Sequence, residues 1–175
     1  YDKAEENYNE ALKIYRSLAE VNPEAYMPDV AMTLSNLANL QGALRQYDKA
    51  EENYNEALKI YRSLVEVNPK AYLPDVVMTL NNLALLQSDL HQYDKAEENY
   101  AEALEFYRDL AKVNPKAYLP DVVMTLNNLA LLQSDLHQYD KAEENYAEAL
   151  EFYRDLAKVN PKAYLPDVVM TLNNL

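Results

Sequence analysis

Ser88, Asp89 and His91 stand within one turn of each other and supply the three residue types of a hydrolase triad. The same set returns at Ser134, Asp135 and His137. In that chemistry the hydroxyl attacks, the imidazole takes its proton, the carboxylate orients the ring and backbone donors receive the oxyanion. The groups must converge. On a helix, neighbours such as Ser88 and Asp89 point about 100° apart, and no oxyanion donors are evident nearby. The first copy of the segment also carries Gly42, Ala43 and Arg45 instead. No catalytic residue is expected. Two imidazoles at the spacing of packed helices, about 10 Å, are too far apart to share an ion, so His91 and His137 read as helix-end residues and no metal site is expected. Without cysteine, disulfides and thiolate metal sites are excluded. The sixteen tyrosines resemble a cofactor box until their regular placement is noticed; that placement says packing, and no cofactor is expected.

The placement comes from a repeat. YDKAEENY begins at Tyr1, Tyr47, Tyr93 and Tyr139, a period of 46, and residues 93–129 are identical to 139–175. The copies are 1–46, 47–92, 93–138 and 139–175, the last cut short. Self-similarity at this spacing marks a stacked-repeat architecture, read as one elongated domain, 1–175, in which each copy touches mainly its neighbours.

Within the copy 47–92, Ala50, Tyr54, Ala57, Leu58, Tyr61 and Leu64 recur at steps of three and four, one apolar helical face. Asp48 is placed to cap that helix, with Glu51 and Glu52 in its first turn. Pro69 ends it, Asn68 being pushed from helical geometry, and Pro69–Leu73 reads as a short connector. Pro74 suits the first position of the next helix, whose face is Val76, Leu80, Leu83, Ala84, Gln87 and Leu90. Each copy is therefore two antiparallel helices, at about 2–21, 29–45, 48–67, 75–91, 94–113, 121–137, 140–159 and from about 167. Arg45, His91 and His137 fall where a left-handed residue commonly ends a helix, a position that favours glycine.

Thr79-Leu80-Asn81-Asn82-Leu83-Ala84-Leu85-Leu86 and Tyr93-Asp94-Lys95-Ala96 with Tyr100, Ala103 and Leu104 resemble the first and second helices of the tetratricopeptide repeat, in the longer-helix type of kinesin light chains and bacterial arrays. The resemblance covers the whole chain. It implies an all-α solenoid of antiparallel hairpins, a right-handed superhelix, with Ala84, Ala96 and Ala103 at close helix approaches. Two departures stand out: the period exceeds the family's usual 34, and the turn lacks the family's glycine.

Comparing copies, the first helix changes at Ala31/Val77, Ser35/Asn81, Asn39/Leu85, Gly42/Ser88 and Ala43/Asp89, one helical stripe. The second changes at Asn55/Ala101, Lys59/Glu105, Ser63/Asp109 and Glu66/Lys112, a stripe that swaps charge freely and reads as a solvated back. By the resemblance, first helices line a concave groove. That implies a peptide-binding face of Met78, Asn81, Asn82, Leu85, Ser88 and Asp89, with Met124, Asn127, Asn128, Leu131, Ser134 and Asp135 in the next copy. Asn36 and Asn39 belong to it in the first, beside Met32. An asparagine ladder offers donor and acceptor to an extended backbone; equally, one Asn of each pair braces neighbouring hairpins. Leu85 and Leu131 either offer an apolar strip or pack between hairpins. The family's clamp for a free C-terminal carboxylate needs Lys and Arg on this face, and none is there.

Net charge is −13, which disfavours nucleic acid and anionic membrane as partners. No apolar run approaches the ~20 residues of a membrane span. The expected function is a non-catalytic scaffold holding a basic or amphipathic peptide, with a cytoplasmic location. A self-associating module stacking end to end is the alternative, since neither terminal copy carries a polar cap. Near-identical copies also fit a consensus array without an evolved ligand.

Overall fold

The computed structural model describes residues 2–175; Tyr1, the start of the first copy, lies outside the described residues. Eight helices account for nearly all of them: α1 (Asp2–Val21), α2 (Pro23–Ala43), α3 (Tyr47–Val67), α4 (Pro69–Asp89), α5 (Tyr93–Val113), α6 (Pro115–Asp135), α7 (Tyr139–Val159) and α8 (Pro161–Asn174). The fold is an all-α solenoid of antiparallel helix pairs.

Four helices start about six residues earlier than the sequence suggests. The stretch Pro69–Leu73 is helix, not connector, and the same holds after Asn22, Asn114 and Asn160. The cause is local. Asn68 has non-helical φ and ψ of −141° and 81°, and its side chain accepts from the Ala71 N–H at 3.3 Å. Pro69 follows at the first helical position, where its missing N–H costs nothing. Pro74 then lies inside the helix, where it deprives the Lys70 carbonyl of its usual donor; Lys70 is exposed, so water can serve it. The expected cap at Asp48 is also replaced. Gln46 precedes α3, and Asp48 stands exposed in its first turn.

The turns that lack glycine are left-handed as expected. Arg45, His91 and His137 have φ of 59°, 58° and 59°. Around Arg45 the Arg45 N–H reaches the Gly42 carbonyl at 3.0 Å and the Gln46 N–H reaches the Gln41 carbonyl at 2.8 Å, which satisfies the end of α2 as a Schellman turn. A β-branched side chain cannot accept that backbone conformation without strain. Arg45→Val is expected to be about 1–2 kcal/mol less stable than Arg45→Gly, as read by urea denaturation.

The chain forms two compact units, Tyr1–His91 and Gln92–Leu175. In the first, α2 packs against α1 and α3, and α4 against α3 and α2. Leu34, Leu37, Leu80 and Leu83 fill this core, and Ala38, Ala50 and Ala57 are fully buried where helices approach closely. In the second, α6 packs against α5 and α7, and α8 against α7. Ala130, Ala142 and Tyr146 form its buried centre.

Asp75 and Asp121 lie half-buried on α4 and α6, and burial raises both carboxyls above their ordinary pKa. A raised folded pKa means that the acid form is favoured by folding, so the contribution is present at low pH and lost as pH rises through the folded value. Asp75→Asn is therefore expected to stabilise the fold at neutral pH, with the gain vanishing on acidification toward pH about 4. Paired urea melts across that range measure it.

Candidate functional site

One face of α4 presents Met78, Asn82, Leu85 and Asp89, spaced by four, three and four residues and so aligned along the helix. Met78, Leu85 and Asp89 are exposed and Asn82 is half-buried; Leu85 shows 49% of its surface. Beside it in the same unit, α2 presents Met32, Asn36, Asn39 and Ala43, all exposed. In the second unit α6 repeats the α4 pattern with Met124, Asn128, Leu131 and Asp135, and Leu131 is 54% exposed. Apolar side chains therefore alternate with amides and end at a carboxylate. No Lys or Arg occurs in residues 30–43, 76–89 or 122–135, so the face carries only negative charge.

Not every residue expected on this face lies there. Asn81 and Asn127 are buried, at 6% and 8% exposure, and they leave the open set. Asn127 faces the adjoining hairpin of its own unit. Asn127 Oδ1 accepts from Thr171 Oγ1 at 3.4 Å, while in the first unit Ser35 Oγ lies 3.5 Å from Thr79 Oγ1. Asn127 is thus a brace between hairpins of the second unit, while Asn82 and Asn128 stand at the open face. Burial also divides the varying stripe of the first helices. Ala31, Val77, Ser35 and Asn81 are buried packing positions, whereas Asn39, Leu85, Ala43 and Asp89 are exposed. Ser88 and Ser134 are half-buried, and Ser134 bonds the Tyr146 hydroxyl.

Asn39 is partly engaged, since the Tyr54 hydroxyl donates to its Oδ1 at 2.5 Å. Burial pushes the Tyr54 pKa up to about 12, so this phenol remains a donor at physiological pH. Asn55, Lys59, Ser63 and Glu66 and their counterparts Ala101, Glu105, Asp109 and Lys112 are exposed, in keeping with a solvated back, whereas the further changes Ile60/Phe106 and Val65/Ala111 fall at buried or half-buried positions.

A buried polar brace runs beneath the face at the turn end of each unit. Gln41 Nε2 donates to Glu5 Oε1 at 3.2 Å, and Gln41 Oε1 accepts from Asn53 Nδ2 at 2.7 Å. Gln46 Nε2 donates to the other Glu5 oxygen at 3.1 Å. The second unit repeats the pattern with Gln133, Glu97 and Asn145 at 3.2 and 2.7 Å. Sequence reading placed Gln87 on the inner helical face without a role. A glutamine kept at one position of an apolar face, at 41, 87 and 133, was the available signal. Hydrogen bonds from Gln41 and then Gln46 lower the Glu5 carboxyl pKa.

The triad letters do not assemble in the copy where both bonds are defined. His137 Nδ1 lies 2.7 Å from the Tyr139 hydroxyl, while Ser134 bonds Tyr146. Among the described residues no group of three His, Cys, Asp or Glu could hold a metal, and no helix is long and apolar enough to cross a membrane.

The tetratricopeptide repeat profile matches residues 1–63 and 75–155. BtubC (BKLC) from P. vanneervenii has a similar structure, with a TM-score of 0.66 and 27% identity over 89% of this chain and 57% of its own. Aspartyl phosphate phosphatase F from Bacillus subtilis has a TM-score of 0.73 at 20% identity, over 95% of this chain and 38% of its own; at that identity the likeness is one of fold. This chain thus spans little more than half of the first and well under half of the second. No curated protein matches the sequence. Helix pairs of this kind, repeated along the sequence and matched over most of its length, make the chain a member of the tetratricopeptide repeat family.

Proposed function

We propose that the chain is a non-catalytic scaffold that holds a basic, amphipathic peptide on the open faces of its first helices. Tetratricopeptide repeats are in general protein-interaction scaffolds, and the finer reading rests on one observation. Met78, Leu85, Met124 and Leu131 are exposed in line with half-buried amides and terminal carboxylates. Leucine and methionine offer apolar area to a partner side chain. Asn82 and Asn128 offer donor and acceptor to its backbone, and Asp89 and Asp135 favour a basic flank.

Immobilised basic amphipathic peptides and their charge-reversed counterparts test the reading. The chain should bind the basic set, and a Leu85→Glu, Leu131→Glu variant with unchanged melting should lose that binding. Undiminished binding by the folded variant, or equal binding of both peptide sets, would sink it.

A further inference from the structure

We infer that a cleft on the back of the first unit, away from the open faces of the first helices, binds a small apolar zwitterion of dipeptide size. The cleft has a volume of about 620 Å³, within the ~300–1,000 Å³ typical of small-molecule sites. It lies between α1 and α3, consecutive second helices of one unit, and the start of α2 forms its floor.

The lining is apolar at the floor and charged at the rim. Ala19, Val30 and Ile60 reach the cleft as buried residues, and Met27 as a half-buried one. An apolar side chain laid against them leaves water, which favours binding. At the rim Arg16 and Glu56 satisfy each other: Arg16 Nη2 donates to both Glu56 oxygens, at 2.7 and 2.8 Å.

Two charges of opposite sign are left over. Glu20 stands on the α1 side and Lys59 on the α3 side, both exposed, and neither makes an ion pair among the described residues. Ser63, four positions after Lys59 on the same side, adds a hydroxyl donor. A ligand that meets both walls carries an ammonium for Glu20, a carboxylate for Lys59 and an apolar body between them. A free dipeptide with apolar side chains has that chemistry. A fatty acid does not, because its one charge would match Lys59 and oppose Glu20. The net charge of −13 also repels an anion, whereas a neutral zwitterion approaches freely.

The second unit carries different residues at the same repeat positions. Phe152 replaces Ile60, Glu151 replaces Lys59 and Lys112 replaces Glu20. A larger ring stands there in place of isoleucine, and Lys112 is already paired with Asp109 at 2.7 Å.

Calorimetric titration with leucyl-leucine provides the test, with methyl NMR to locate the ligand and circular dichroism melts to show that each variant is folded. The dipeptide should bind and shift the methyl signals of Ala19, Met27, Val30 and Ile60. Its N-acetylated and C-amidated forms should each bind roughly tenfold or more weakly, having lost one charge-assisted contact. Lys59→Glu and Glu20→Lys should each weaken binding by at least as much, and the double exchange should restore it with the ligand reversed. Ile60→Phe should abolish binding by filling the cleft. Phenylalanine is the chain's own residue at this repeat position, at 106 and 152; should the variant still unfold, the charge exchange decides alone. No binding of the dipeptide, or equal affinity for its end-blocked forms, would overturn the inference. So would shifts confined to Leu85 and Leu131, which place the ligand on the first helices.

Discussion

Leu83→Ala is expected to lower the stability of the fold by about 2–5 kcal/mol, read as a shift of the urea midpoint at constant slope. Leu83 lies on α4 and is almost wholly buried. Truncation loses the transfer free energy of the side chain and leaves a cavity that rigid neighbouring helices refill poorly. The control is Leu85→Ala, two positions on and half exposed, where the change should remain within about 0.5 kcal/mol. Equal effects at the two positions would contradict the assignment of buried and open faces on α4.

Gln41→Ala carries the second large effect, a loss of about 2 kcal/mol. Removing this amide breaks two hydrogen bonds at once, to Glu5 and to Asn53. It leaves the half-buried Asn53 amide and the Glu5 carboxylate each without one partner, and a group left unpaired costs more than the bond itself contributes. The loss should depend on pH with a definite sign. Because Glu5 has a lowered folded pKa, its contribution is present above the ordinary carboxylate value and lost as pH falls through the folded one. The gap between Gln41→Ala and the unaltered chain should therefore narrow in acid. In the same variant the Glu5 carboxyl pKa should move back up, which carboxyl-carbon NMR titration would show. A pH-independent gap would mean that packing, not the Gln41–Glu5 bond, is what the substitution removes.

Much of this was legible in the residues. The period fixed the number and order of helices, and the spacing of Ala50, Tyr54, Ala57 and Tyr61 identified the buried face of α3 correctly. Left-handed turns at Arg45, His91 and His137 were legible from position alone. The helix starts were not, because two prolines compete for the first-turn role. Asn68 decides between them through a side-chain bond that spacing does not reveal. At the candidate site the limit was angular. Asn81 and Asn82 are adjacent in sequence but about 100° apart on the helix, so one is buried while the other borders solvent. Variation between copies pointed the other way, since the buried position changes from Ser35 to Asn81 while the open one is Asn in every copy, at 36, 82 and 128. The Glu5–Gln41–Asn53 brace joins three helices, and a pairing of that kind appears only once the helices are placed.

Backbone amide NMR of the chain titrated with a basic amphipathic peptide tests the scaffold claim most directly. The account predicts shifts clustered at Asn82, Leu85 and Asp89 and at Asn128, Leu131 and Asp135, with Lys59, Glu105 and Asp109 on the back unmoved. Shifts centred on those back residues, with the first helices silent, would contradict it.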